Sequence, residues 1–367
     1  MATTLTTPTP TKTPTGPRAP ALDARRLDSL LASWRMQADD RLIALYPHFY
    51  AHSLHIAGVL MDGVSVGIRH LPQRWRYRLA DALTTPLVWL WRMNGRLAPI
   101  TRNYATLLHA VAGHEWTGDP VASLPASETA ATHKDAQLDD QARDLAGASV
   151  RNYGRMAVDF LAARTMRTDE IMAWAHPQGD GHFADVMREG HGVIMAAPHV
   201  GSWDVAAVFA QAYGCKLTVV TEQNWVTELV AGGRRSLGIT LAPRDAGPQA
   251  LRALFAALRR NECVVLLSDI ANEGVQTMDA PFFGRPSPFP MGPARLAVRT
   301  GAPILVVGSV RLPDGSYLVE AQPPLRADPV LPRDAAVAQL TEAVAAGFER
   351  IIAAYPDQWY PFHPIWP

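Results

Sequence analysis

From residue 192 onwards the chain alternates short, β-branched apolar runs with helix-like stretches, and this alternation constrains the fold more than any other feature. The runs are "GVIMAAP" (192–198), "KLTVVTE" (216–222), "ITLAPR" (239–244), "CVVLLSD" (263–269), "PILVVGSVRL" (303–312) and "YLVEAQ" (317–322). Between them, "PQALRALFAALRR" puts Leu251, Leu254, Phe255 and Leu258 on one helical face. Near the end, Leu340, Val344, Phe348, Ile351 and Ile352 make another such face. Strands that are apolar on both faces belong to a parallel sheet covered by helices on each side. The pattern predicts an α/β fold, a mostly parallel central sheet flanked by helices, with a helical N-terminal region. In open sheets of this kind chemistry gathers at the carboxyl ends of the strands. His199, Glu222 and Asp269 stand at three such ends.

The first half organises differently. Residues 28 to about 115 read as helical and apolar, a polar connector follows to residue 141, and a second helical stretch leads into the alternating half. The expected divisions are a tail at 1–27, a helical region with its connector at 28–147, and a catalytic α/β region at 148–367. The tail, rich in Thr, Pro and Ala, lacks the apolar core of a secretory signal and reads as disordered. No run is long and apolar enough to cross a bilayer; "LHIAGVLMDGVSVGI" (54–68) is interrupted by Asp62. "LADALTTPLVWLW" (79–91), broken by Asp81 and Pro86, lies between "RHLPQRWRYR" and "RMNGR". That bracketing fits either a core helix with solvated ends or a helix lying in a membrane interface.

Composition narrows the partners. Lys plus Arg and Asp plus Glu are equal at 34 each, so no net field draws nucleic acid to the chain. Cys215 and Cys263 match no zinc spacing and give no disulfide framework, which makes a reducing compartment the expectation. Basic residues are nearly all arginine, with lysine only at 12, 134 and 216, as in a high-GC bacterial genome.

The strand "GVIMAAP" runs directly into "HVGSWD", in which Asp204 follows His199 by five residues. The spacing alone says little, because His114 and Asp119 repeat it beside the connector. Position says more. If a helix begins near Ser202 as N-cap, Asp204 falls in its first turn and its carboxylate can fold back towards the imidazole. A neutral imidazole oriented by a carboxylate can take the proton from an attacking hydroxyl. Backbone N–H groups at the helix start, near Gly201 and Ser202, can meet an oxyanion, and Gly201 lets a substrate approach. A structural helix-capping histidine is the competing reading. "HVGSWD" lacks the Gly-x-Ser-x-Gly elbow of a serine hydrolase. His191, His199 and Asp204 have no established metal-ligand spacing, and no metal is expected.

A second block, "SDIANEGVQTMDAPFFGRPSPFPMGPARLAVRTGAPIL" (268–305), carries Asp269 at a strand end and Glu273 in the loop beyond. Phe282 and Phe283 read as strand core, and "GPARLAVRTGAP" as a helix from Pro293 to Gly301. Arg285, and Arg234 with Arg235 in "GGRRSLG", either bind phosphate or are simply solvated.

With "PHVGSWD", "RRSLGI", "VVLLSDIANEGVQTMDAPFFGRPSPFPMGPARLAVRTGAP" and the closing "YPDQWYPFHPIW" in order, the chain resembles the lysophospholipid acyltransferase superfamily. Within it, the branch of lipid A late acyltransferases and phosphatidylinositol mannoside acyltransferases is the most similar, over roughly residues 148–366. The resemblance implies that His199 is the general base and Asp204 its partner. It also implies a further supporting acid, with Glu273 the candidate and Glu222 and Asp269 its rivals. Asp269-Ile270-Ala271 stands where relatives often read Asp-x-Asp, and Arg285 where some carry an acid. Gly201, Ser202, Glu222, Arg234, Asp269 and Arg285 are the substrate-binding candidates. The implied reaction moves an acyl chain from an acyl thioester, acyl-CoA or acyl-carrier protein, to a sugar hydroxyl of a membrane glycolipid. A phosphatidylinositol mannoside is the expected acceptor, with a lipid A precursor or simple thioester hydrolysis as alternatives. A non-catalytic membrane-binding protein on the same scaffold is a third reading. The co-substrate replaces any bound cofactor, the partners are the two substrates and a membrane surface, and the place is the cytoplasmic face of the cell membrane.

Overall fold

The computed structural model describes residues 63–113, 133–163, 165–212, 214–222, 231, 234, 235 and 237–366. The tail, the remainder of the helical region before residue 63, and most of the connector, with His114 and Asp119, lie outside the described residues. Residues 63–70 are helical. They lead into α1 (Gln73–Met93), α2 (Ala98–Ala112), α3 (His133–Ala163) and α4 (Thr168–Trp174). The alternating half then runs β1 (Ala175–Gln178), α5 (Asp180–Arg188), β2 (Val193–Ala197), α6 (Trp203–Ala212), β3 (Leu217–Thr221), β4 (Thr240–Pro243), α7 (Pro248–Arg259) and β5 (Cys263–Leu267). It closes with β6 (Thr277–Phe282), β7 (Arg285–Pro290), α8 (Gly292–Thr300), β8 (Ile304–Arg311), β9 (Tyr317–Ala321) and α9 (Arg333–Ala354).

Each apolar run is a strand. The sheet has seven strands in the order β1-β9-β8-β2-β5-β3-β4. All neighbours are parallel except β8 and β9, which meet through a tight turn. β5 returns to fill the place between β2 and β3, with Ala197 opposite Leu267 and Leu217 opposite Cys263. β2 is buried along its whole length, as a central strand covered on both faces must be. On α7, Leu254 and Leu258 are buried and Phe255 partly so, but Leu251 points out at 44% exposed, with Ala250 and Ala257 taking the inner face. The α9 face, from Leu340 to Ile352, is buried as its spacing predicts.

Two elements escape the alternating pattern. β1, "AHPQ", is a short edge strand without apolar alternation, and β6 with β7 forms a separate antiparallel hairpin. Phe282 ends β6 in the core, but Phe283 occupies the turn at φ 48°, where its N–H donates to the buried Glu349 carboxylate. The cysteines also differ from expectation: Cys215 and Cys263 are joined by a disulfide, Cα to Cα 6.4 Å. They lie 48 residues apart in sequence, and the β3–β5 pairing brings them together.

α3 crosses residues 147 and 148 without a break, so one helix is shared by the helical and α/β halves. α1 lies closely against it. A Cβ on Gly154 would come 2.5 Å from the Thr84 side chain, which is why that helix pair carries a glycine there. The helices also grip the C-terminal segment. Tyr104 of α2 donates to the carbonyls of Trp359 (2.6 Å) and Pro356 (2.9 Å), and Asn103 donates to those of Pro361 and His363.

Candidate active site

Because β5 separates β2 from β3, the strand exits carrying His199, Asp269 and Glu222 are neighbours at one end of the sheet. β5 delivers Asp269 one residue after Ser268, whose N–H still pairs with Ala197 of β2. The Asp269 side chain is fully buried and receives three donors. His199 Nδ1 lies 2.6 Å from Oδ1, while the His199 backbone N–H (3.0 Å) and the Trp359 indole N–H (2.9 Å) reach Oδ2. Burial would raise this acid. The facing imidazole, by charge and hydrogen bond, together with the other two donors, overrides burial and holds it below the ordinary carboxylate value. For His199 burial pulls downward, but Asp269, and Glu222 behind it, outweigh burial and raise the imidazole above 6.5. With Nδ1–H committed to the carboxylate, Nε2 carries the lone pair, and no described residue bonds it. The side chain keeps 24% of its surface open. A base held in one tautomer and open on its outer nitrogen is equipped to remove a proton from an alcohol.

Asp204 does not fill the role expected of it. Ser202 caps α6, its Oγ facing the Val205 N–H at 3.4 Å, and Asp204 does fall in the first turn. From there its carboxylate turns to Arg234, which grips both oxygens at 2.8 and 3.2 Å. Glu273 is exposed, and its backbone carbonyl, not its carboxylate, is engaged, by Arg244 at 2.5 Å. The acid on His199 is Asp269, because it ends the strand paired with β2 whereas Glu273 lies beyond it in a turn. Gly201 also serves differently. It sits at φ 59°, and a Cβ there would come 1.7 Å from the Ser309 carbonyl oxygen, so the glycine admits β8 rather than a substrate. The Gly201 and Ser202 N–H groups, expected to meet an oxyanion, are taken by the carbonyls of Gln358 (2.9 Å) and Ser309 (2.8 Å). Arg285 is exposed at the start of β7 and faces Thr106 of α2 at 3.4 Å, with no contact to the histidine.

Two residues were not singled out from sequence. Arg244, at the end of β4, bonds Glu222 at 3.1 Å and so closes the rim of the site; the strand-exit rule would have found it. Trp359, fully buried, belongs to a C-terminal strap that runs beside the histidine loop. Val200 pairs with Trp359, and the Tyr360 N–H donates to the His199 carbonyl at 2.9 Å. Only the density of aromatic residues in "YPDQWYPFHPIW" hinted at it. Beside the strap, Trp203 packs edge-on to the His199 ring at 5.5 Å and to Tyr360 at 6.1 Å. Among the described residues no cluster of three or more His, Cys, Asp or Glu side chains is arranged to hold a metal ion.

A carboxylate-supported histidine at the exit of a parallel sheet, open on its outer nitrogen, fits an acyltransferase of the kind that deprotonates an acceptor hydroxyl. Comparison with known proteins agrees. Residues 136–367 match the family described as bacterial lipid A biosynthesis acyltransferase, and the chain belongs to that family. It is similar to a phosphatidylinositol mannoside acyltransferase of Mycobacterium tuberculosis (strain CDC 1551 / Oshkosh), 30% identical over 60% of this chain and 69% of the relative. A protein of the same name from Mycolicibacterium smegmatis is 30% identical over 61% of this chain and 72% of its own.

Proposed function

We propose that this acyltransferase moves a fatty acyl chain from an acyl thioester, acyl-CoA or acyl-carrier protein, to a sugar hydroxyl of a phosphatidylinositol mannoside. The observation that carries the reading is the 2.6 Å contact of His199 Nδ1 with the buried Asp269 carboxylate, in a chain whose similar relatives are named for that acceptor. His199 Nε2 takes the hydroxyl proton as the oxygen attacks the thioester carbonyl, and Asp269 stabilises the imidazolium that forms. The tetrahedral intermediate collapses, the C–S bond breaks, and the imidazolium returns its proton to the departing thiolate. The test is thiol release from palmitoyl-CoA with and without a mannosylated phosphatidylinositol, for wild type and His199→Ala. Release that needs the acceptor and vanishes in the variant is expected. Release at full rate without acceptor would make the protein a hydrolase.

A lipid acceptor also requires a docking surface, and α1 offers one. Trp75, Leu79, Leu83, Leu87, Leu90 and Met93 recur at three- and four-residue spacing and are all exposed, Leu83 at 68% and Met93 at 69%. Arg74, Arg78, Arg92 and Arg96 are exposed at the two ends of the stripe, and Arg78 lies over the Trp75 ring at 4.8 Å. No helix among the described residues is long and apolar enough to cross a membrane. An apolar stripe bracketed by arginines supports attachment at an anionic leaflet.

A further inference from the structure

The chain is neutral as a whole, with 34 basic and 34 acidic residues, so a surface of one sign has to be built locally. α7 and α8 build one. Neither helix contains an Asp or Glu, not even in the first turn, where the helix dipole favours an acid. Arg252 and Arg259 of α7 and Arg295 and Arg299 of α8 are all exposed, and none of the four pairs with a carboxylate among the described residues. Arg295 meets only the neutral Gln276 side chain. Arg299 lies over the Phe255 ring at 5.2 Å, which joins the two helices into one face. Glu262, the first acid after α7, is already held by Arg260 at 2.7 Å. Like charges four apart on a helix, as Arg295 and Arg299 are, repel, and a face that keeps them unpaired attracts an anionic partner. Half-buried Phe255, with Leu251 four residues before it and 44% exposed, adds a small apolar spot.

The face adjoins the site. α7 starts four residues after Arg244, which reaches Glu222 at 3.1 Å and the Glu273 carbonyl on the rim beside His199. It packs on β3, β4 and β5, and β4 is one edge of the sheet. α1 begins near the other edge, where Gln73 and Trp174 both donate to the Gly315 carbonyl in the β8–β9 turn and Trp174 leads into β1. The stripe that suits a lipid surface and the arginine face are therefore separate, and the second has two apolar residues where the first has six. So little apolar area among unpaired arginines suits a charged protein surface rather than a bilayer. We infer that the α7–α8 face docks an acidic protein that carries the acyl thioester and presents it to His199. The inference rests on the proposed reaction and names the donor within it. The chemistry is unchanged. The sugar oxygen bonds the carbonyl carbon, the C–S bond to the carrier breaks, and the hydroxyl proton reaches the carrier thiolate through His199.

The test compares palmitoyl-acyl carrier protein with palmitoyl-CoA as donors to a mannosylated phosphatidylinositol, for the full chain and for Arg252→Glu combined with Arg295→Glu. With the carrier as donor, the double variant is expected to raise KM by more than about tenfold, because reversed charges repel an acidic partner. Its kcat and melting temperature are expected to hold, and its KM for palmitoyl-CoA to stay within about threefold of wild type. For wild type, kcat/KM with the carrier falls as salt screens the attraction. An unchanged KM for the carrier overturns the inference. So does an equal rise for both donors, which assigns the face to the phosphate chemistry they share. Loss of sedimentation with anionic phospholipid vesicles in the double variant, with KM for the carrier unmoved, makes the face a second membrane contact and also overturns it. A separate readout needs no acceptor: dye-labelled palmitoyl-acyl carrier protein is titrated with the full chain and followed by fluorescence anisotropy. Saturable binding that weakens by more than about tenfold in the double variant is expected, and no binding to wild type overturns the inference. If wild type transfers to no mannosylated lipid, the proposed acceptor falls, and the titration still decides the docking face.

Discussion

The His199 imidazole sits where burial alone would favour its neutral form, and the Asp269 carboxylate reverses that balance. The sign of the pH dependence follows. In the proposed reaction the base works as neutral imidazole, so kcat/KM is expected to fall as pH drops through the free-enzyme value, with that acidic limb above the ordinary imidazole range. Asp269→Asn removes the charge that stabilises imidazolium, so the limb moves to lower pH and the maximal rate falls by roughly 10²–10⁴-fold. Asp204→Asn breaks a largely buried pair with Arg234, 6% and 15% exposed, and is expected to lower the melting temperature while leaving the limb in place. Both are read by pH–rate profiles and thermal melts. The placement of His199 was legible in the sequence, because an apolar run ending in Pro198 marks a strand exit. Its acid was only partly legible. Asp269 marks another strand exit and stood as a rival supporting acid, but sequence alone did not set Asp204 aside as partner, because Ser202 fixes its helical turn while Arg234, thirty residues away, sets the direction of its side chain.

At the scale of elements, the site is held from outside the sheet. α2 anchors the C-terminal strap through Tyr104 and Asn103, the strap lays Trp359 under Asp269, and Asp269 holds His199. Trp359→Phe is expected to keep the aromatic packing, lose one donor to the acid, and cut kcat with little change in KM, as steady-state kinetics would report. Gly201→Ala is a harsher test, since its Cβ would overlap the Ser309 carbonyl at 1.7 Å. We expect a loss of more than about 4 kcal/mol in denaturant unfolding. The six apolar runs of the second half were readable as strands, five because they lie inside the sheet and the edge strand β4 because its run is largely apolar all the same. β1 was not, since an edge strand paired on one side needs no such pattern, and the β6–β7 hairpin was hidden by its prolines. The strap's role was invisible because it depends on contacts spanning more than two hundred residues of sequence.

For the whole molecule, the disulfide and the exposed stripe of α1 make separate predictions. Cys215 and Cys263 join the amino ends of β3 and β5, opposite the site, and close a loop of 48 residues. Reduction is expected to lower stability by about 4 kcal/mol, from loop-closure entropy, and to leave kcat unchanged; melting and turnover with and without reductant check it. Leu83→Glu with Leu87→Glu places charge in the stripe and is expected to abolish sedimentation with anionic phospholipid vesicles while preserving the melting temperature. The central claim, that Asp269 tunes the base of an acyltransferase, is tested most directly by the pH profile of acyl transfer in wild type, Asp269→Asn and Asp204→Asn. We predict that the acidic limb shifts downward in Asp269→Asn alone. A limb that stays put in Asp269→Asn and shifts in Asp204→Asn would contradict the account.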